Sequence, residues 1–491
     1  MEIYLSGHDY KYAVEQMLLT LYPEERPVYP DAPGDENCVS VSLRRGARYA
    51  VAICRLTRDG KTVRAEQRIA LSRMTDADAV ARLEQRIVKL SFYRAALAAG
   101  HSKPTWGCLT GVRPAKFMAG LMKKDGMSLH QAENALSSVF DVSPERAALC
   151  AAAAGEAEEV RAALTPEDVC LYVGIPFCPT RCAYCSFISV DAPKLLRRIP
   201  EYLSALSKEM AATAEVVRKT HRRVISVYIG GGTPTTLSAE QLDSLLTELR
   251  RCFDLSSCRE FTVEAGRPDT VTEEKLAVLV RHGVDRVSVN PQTMSDEILQ
   301  TIGRRHTVAD IHRAVSLVKN TPLHFNMDLI AGLPGDTAES FGATVDAVLA
   351  LEPENVTVHT LALKKGSIFL TEKTALPSGE TVGEMLTLAQ KKLRAAQFSP
   401  YYLYRQKFMS GSFENVGWTK AGCRNLYNIC IMEELCPILA VGAGGSTKLT
   451  EPGGYIERLL PPKYPKEYIE RIDATCEAKD QLLRFFEKYY S

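Results

Sequence analysis

No stretch of the 491 residues approaches the ~18 consecutive apolar positions that a membrane-spanning helix requires, so an integral membrane protein is not expected. Charge of one sign is missing as well. Sixty Lys and Arg face 59 Asp and Glu, a net charge of +1, and nothing draws the chain as a whole toward nucleic acid or anionic lipid. The opening residues, MEIYLSGHDYKYAVEQ, lack a basic region followed by an apolar one, so no secretory leader is expected and the cytoplasm is the expected compartment. Internal repeats and low-complexity tracts are missing too. In a reducing compartment the 14 cysteines are not a disulfide framework but apolar fillers, metal ligands or catalytic groups. Cys38, Cys54, Cys150, Cys170 and Cys252 stand singly and are expected to be plain thiols.

What is present is a globular composition, 46% apolar and 24% charged, on a chain long enough for two or three domains. From about residue 170, short apolar strands alternate with helical segments: CLYVGIP, VISVYIGGG, EFTVEAG, DRVSVNPQ, LHFNMDLIAGLP and NVTVHTLAL. Strands apolar on both faces imply a parallel sheet covered by helices. About six such units in roughly 200 residues suit an open, partial barrel better than a closed eightfold one of about 250. The fold class expected is therefore α/β, a partial (β/α)6 barrel over 166–400. An N-terminal α+β and helical module is expected over 1–165 and a C-terminal extension over 401–491. MEIYLSG, NCVSVSLRR, YAVAICRLT and TVRAEQRIAL read as antiparallel strands of the first module. WGCLTGVRPAK (106–116) reads as a structural turn, and 466–488 as one amphipathic helix.

The glycine and polar motifs fall where strands end, the rim where such folds bind ligands. The densest motif there is CPTRCAYC, with Cys178, Cys182 and Cys185 in a C-x3-C-x2-C spacing. Structural zinc takes four protein ligands, usually as two close pairs, and no second pair or nearby histidine follows. A four-iron cluster normally takes one thiolate per iron, so three leave one iron open to a substrate or cofactor. Cys423, Cys430 and Cys436 have x6 and x5 spacings that do not match a compact cluster loop, and Glu433 and Glu434 read as helix surface.

This spacing after the first barrel strand resembles the radical S-adenosylmethionine (SAM) enzymes. The resemblance implies a [4Fe-4S] cluster on the three cysteines, with SAM chelating the open iron and reductively cleaved to a 5′-deoxyadenosyl radical. In that setting Gly231, Gly232 and Thr233 of GGGTPT would receive the amino group of SAM. Glu264 would anchor an ammonium or sulfonium, and Arg304 the methionine carboxylate. Gln292 joins that set. Asp328 would bind ribose hydroxyls and Ile330 would contact adenine. Tyr172 would reach the bound nucleoside, and Tyr184 would cover the cluster or the adenine. Tyr172 and Glu264 are the candidate catalytic residues.

The order of Tyr172, IPFC (175–178), GGGTPT (230–235), Glu264, Gln292, Arg304 and DLIAGLP (328–334) is similar to the oxygen-independent coproporphyrinogen III oxidase group. The N-terminal extension and ENVGWTKAGCRNLYNICIMEE resemble its HemZ-type subgroup. The resemblance implies oxidative decarboxylation of two propionates of coproporphyrinogen III to vinyls, giving protoporphyrinogen IX in haem biosynthesis. A reduced flavodoxin or ferredoxin would donate electrons, the chain would be a monomer, and 401–491 would cover the substrate. Two positions depart from the oxidases: Gly174 stands where they carry a histidine, and Phe187 where they carry a further cysteine. A radical SAM methyltransferase and a haem-binding carrier, with His306 or His359 as axial ligand, are the alternatives.

Overall fold

The computed structural model describes residues 1–30, 36–185, 195–364, 366–406, 411 and 413–490. The chain forms two compact units, Met1–Ala151 and Ala152–Ser491, the division falling within the helix Pro144–Ala162.

The first unit holds a four-stranded sheet of β1 (Glu2–Ser6), β2 (Cys38–Arg45), β3 (Tyr49–Arg58) and β4 (Lys61–Ala70), in that order. β2, β3 and β4 pair antiparallel, as alternation and short turns predict, but β1 runs parallel to β2. The reason is the helix Lys11–Leu21, which lies between them in sequence and returns the chain to the same end of the sheet. The segment around Trp106 is a buried turn in which Cys108 N–H donates to Phe140 O.

The second unit is built on one eleven-stranded sheet. Its centre is six parallel strands: β5 (Asp168–Ile175), β6 (Arg223–Gly231), β7 (Glu260–Glu264), β8 (Arg286–Ser288), β9 (His324–Ala331) and β10 (Asn355–Thr360). β11 (Ser399–Arg405) and β12 (Glu414–Thr419) continue the sheet antiparallel beyond β10. Beyond β5 lies β13 (Ile438–Val441), a further parallel strand, then β14 (Thr447–Thr450) and β15 (Ile456–Leu459). β11 and β15 are the two edges, so the described sheet is open and the six expected units gain a seventh parallel strand.

Local chemistry explains the alternation. Val224, Ile225, Val227 and Ile229 of β6 are all buried, each worth about 1.5–3 kcal/mol of apolar transfer. Ser238 and Gln241 form a capping box that starts the helix Ala239–Cys252, while Thr272 caps Glu273–Arg281. The expected C-terminal helix is instead three, Pro465–Glu470, Ile472–Glu477 and Asp480–Tyr489. The last break falls at Lys479, whose ammonium is drawn inward onto Glu209 and Ala440 O.

The N-terminal ends of the central strands are closed by a polar floor. Arg286 and Asn355 both donate to Cys423 O, at 3.0 and 2.9 Å, and Arg286 also bonds Asn355 Oδ1. Asn425 donates to Thr262 Oγ1 at 3.0 Å, and Glu260 accepts from Leu426 N–H at 3.1 Å. With one end filled by residues 423–426, a ligand must enter at the other, where the strands end.

Candidate radical site at the strand ends

Three groupings stand at that open end. The first surrounds Glu264, the last residue of β7. Tyr228 donates its hydroxyl to Glu264 Oε1 at 2.6 Å, and Gly231 N–H donates to Oε2 at 3.2 Å. Burial, with Asp328 adding to it, pushes the Glu264 carboxyl up to about 7 against those two bonds and His359. Tyr172 stacks 6.2 Å from Tyr228, and Tyr427, rising from the floor, stacks on both. Burial raises the Tyr172 hydroxyl above its ordinary range.

The second grouping ties the glycine turn to the cysteine loop. Gly232 N–H donates to Ile175 O at 2.9 Å and Thr233 N–H to Phe177 O at 2.7 Å. Gly231 adopts φ +111°, and a Cβ on Gly232 would lie 2.5 Å from Phe177 O, so only glycine lets these segments meet. The contact places Thr233 Oγ1 3.4 Å from Cys178 Sγ. Cys185 N–H closes a turn onto Cys182 O at 3.1 Å. Burial pushes the Cys178 thiol up to about 12.

The third joins Tyr184, Arg304, Gln292, Asp328 and Ile330. Arg304 is buried; it donates to Asn290 O at 2.5 Å and to the Tyr184 hydroxyl at 3.1 Å. Gln292 is held at φ +70°, a left-handed conformation costly for a residue with a Cβ, by pairing with β9. Its N–H donates to Asp328 O at 2.9 Å, and Ile330 N–H donates back to Gln292 O at 3.0 Å. Asp328 Oδ2 lies 3.7 Å from His359 Nε2. Ser186 and Phe187 lie outside the described residues.

Three features fit an iron–sulfur cluster with SAM. Three cysteines stand on one loop, a backbone cradle stands against it where a Cβ would intrude, and the buried Arg304 Nε has no partner among the described residues. An unpartnered guanidinium N–H suits a carboxylate. The Sγ atoms of Cys178, Cys182 and Cys185 do not all lie within 4.8 Å of one another; the described trio that does is Cys170, Cys430 and Cys436.

Cys170, expected to stand singly, instead has Cys430 and Cys436 beside it. Cys170 and Cys436 are 3.7 Å apart in a core with Ile225, Ile429, Ile438 and Tyr427. Three thiolates there would carry a heavy desolvation cost, and three neutral thiols packed as small apolar groups fit better. Glu433 and Glu434 are buried rather than surface, with Glu434 3.7 Å from Arg458 and 3.9 Å from Lys448.

Nothing in the sequence pattern singles out Arg267. Its guanidinium, almost fully buried, donates to Thr180 Oγ1 at 2.8 Å and lies 4.0 Å from Cys182 Sγ. In EAGRPD it looks like a loop charge, and only the fold brings Thr180 and Cys182 to it.

The radical SAM superfamily model matches residues 172–348. The chain is 39% identical over 395 residues to the oxygen-independent coproporphyrinogen-III oxidase-like protein HemZ of Bacillus subtilis, covering 78% of each chain. It is 32% identical over 304 residues to the heme chaperone HemW of Haemophilus influenzae, covering 61% of this chain and 75% of that one. Among solved structures, coproporphyrinogen III oxidase (HemN) from Escherichia coli superposes with a TM-score of 0.51 at 22% identity, covering 66% of this chain and 73% of that one. A cluster-ready cysteine loop, an open sheet with its ligand end at the strand termini, and identity sustained along 78% of a curated relative lead to one assignment: the chain belongs to the radical SAM superfamily, within its oxygen-independent coproporphyrinogen-III oxidase-like family, and uses a [4Fe-4S] cluster and SAM.

Proposed function

We propose that the protein catalyses oxygen-independent oxidative decarboxylation of coproporphyrinogen III, converting two propionates to vinyls and giving protoporphyrinogen IX. The observation that carries this reading is the 39% identity with a coproporphyrinogen-III oxidase-like protein, extending well beyond the superfamily's 172–348 core. Bound together, the cluster and SAM would supply a carbon-centred radical able to take a hydrogen atom from the propionate β-carbon; each side-chain radical would then lose carbon dioxide and pass one electron to an external one-electron acceptor, leaving a vinyl.

The chain's own residues bind and orient. Cys178, Cys182 and Cys185 hold the cluster, with Thr233 beside the first thiol. Gly231, Gly232 and Thr233 present the backbone to the amino group. Glu264, braced by Tyr228, offers its carboxylate to the positive end of SAM. Arg304 offers its free Nε to the methionine carboxylate. Gln292, Asp328 and Ile330 line the nucleoside side, and Tyr172 and Tyr184 shield it from water. The chain works in the cytoplasm as a monomer, taking electrons from a small reduced flavodoxin or ferredoxin.

The 32% identity with a heme chaperone supports a second reading, haem carriage. His306 is buried against Asp269 at 3.5 Å, which leaves His359 at the strand ends as the axial ligand to examine. Anaerobic incubation of the reconstituted protein with SAM, a reductant and coproporphyrinogen III separates these functions. The oxidase yields protoporphyrinogen and 5′-deoxyadenosine. SAM cleavage without a porphyrin product refutes it, S-adenosylhomocysteine indicates methyl transfer, and tight haem binding without turnover indicates the carrier.

A further inference from the structure

Arg267 makes more contacts with the cysteine loop than its motif suggests. Besides Thr180 Oγ1 it reaches Thr180 O at 3.5 Å and Cys182 Sγ at 4.0 Å. Its own position is fixed. Asp269 Oδ1 accepts from Nε at 3.2 Å, and Thr270 Oγ1 donates to Arg267 O at 2.7 Å. Thr270 in turn bonds Thr235, and Lys275 donates to the carbonyls of both threonines. A cation held this rigidly, out of water and against a thiol of the cluster loop, has an electrostatic consequence for whatever that thiol ligates.

We propose that Arg267 is a positioning residue that sets the reduction potential of the cluster. Reduction adds one electron to a group already made anionic by three thiolates. A desolvated guanidinium beside one of those thiolates stabilises the reduced state and raises the potential. Asp269, on the far side of the guanidinium, offsets part of that charge. The two residues therefore act with opposite sign. The proposal rests on the three cysteines holding the cluster and is independent of the porphyrinogen reading.

The test is an EPR-monitored redox titration of anaerobically reconstituted protein, parent against Arg267→Gln, Arg267→Lys and Asp269→Asn, each normalised to iron content. In Arg267→Gln the ratio of reduced to oxidised cluster at a fixed solution potential falls at least tenfold, ~59 mV for one electron. Arg267→Lys keeps most of the parent's potential, and Asp269→Asn shifts it upward. Parent-like potential in a fully loaded Arg267→Gln protein overturns the proposal, and so does a shift of the same sign in Arg267→Gln and Asp269→Asn. If both Arg267 variants lose the cluster, the upward shift in Asp269→Asn decides. Cys182→Ala serves as a separate control: retention of four irons per chain there refutes the ligand assignment itself.

Discussion

If Glu264 holds the positive end of SAM as proposed, its ionisation ties the affinity for SAM to pH. Its carboxyl rises from an ordinary 4.5 to about 7, chiefly through burial, with the Asp328 charge adding and the Tyr228 and Gly231 bonds opposing. A rise of that size means about 3 kcal/mol to ionise the group in the empty site. A cationic ligand binds the carboxylate and not the acid, so binding must draw off the proton wherever the empty site still holds it. The ionised fraction climbs from about one-eleventh at pH 6 to about ten-elevenths at pH 8, so affinity rises about tenfold across that range. At pH 7 about half a proton is released per ligand bound, measurable by calorimetry in two buffers of different ionisation enthalpy. Glu264→Gln abolishes the slope and weakens binding by more than tenfold, the scale of a lost charge-assisted bond. Glu260 in the floor also titrates near 7 but is unchanged in that variant, so the difference isolates Glu264. The sign for stability is the reverse. A carboxyl raised in the folded state stabilises fully below pH 4.5 and loses that contribution as pH climbs to about 7, so Glu264→Gln gains on the parent over that window while losing ligand. Affinity that stays flat from pH 6 to 8 in the parent, or a slope that persists in Glu264→Gln, refutes the role given to this residue.

Gly232→Ala places a Cβ 2.5 Å from Phe177 O and must displace the loop segment leading from β5 into Cys178. Iron content on reconstitution and SAM affinity both fall, by an order of magnitude or more, while circular dichroism stays near that of the parent. Gly174→His introduces the histidine that the resemblance implies for the oxidases but drives a Cβ to 3.1 Å from Ala443 O, and chemical denaturation shows a loss of about 1–3 kcal/mol from overpacking rather than a gain in turnover. Lys479→Met leaves Glu209, fully buried and paired to Lys479 at 2.6 Å, without its cation; stability in urea falls by about 3–5 kcal/mol.

What the sequence revealed and what it hid follow from the distance over which each feature is decided. Strands apolar on both faces, capping residues and glycine turns are set by neighbours within a few positions, so the six parallel strands and the motifs at their ends were legible. So was Glu264, because the last residue of a buried strand has little freedom in where it can lie. Arg267 was not, since its burial depends on Thr180 and Cys182, brought to it from another loop. Nor was β13, whose four residues become a parallel strand only by pairing with β5. The Cys170, Cys430 and Cys436 trio likewise exists only once β5, the helix Leu426–Glu433 and the approach to β13 have come together. Gly174 shows how a local letter and a distant contact combine. Read alone, it is a missing histidine. In the fold, Gly442, at φ +94°, lies against it, and a Cβ on Gly442 would meet Gly174 O at 2.5 Å. Tyr202 braces both sides, donating to Gly174 O at 2.6 Å and accepting from Ala443 N–H at 2.9 Å. Gly442 N–H in turn donates at 2.7 Å to Glu209, the buried partner of Lys479. The space a histidine would need at the strand end is therefore taken by backbone that Tyr202 and Glu209 of the helix Ile199–Lys219 hold in place, and any exchange at Gly174 has to be matched by a change in that distant loop.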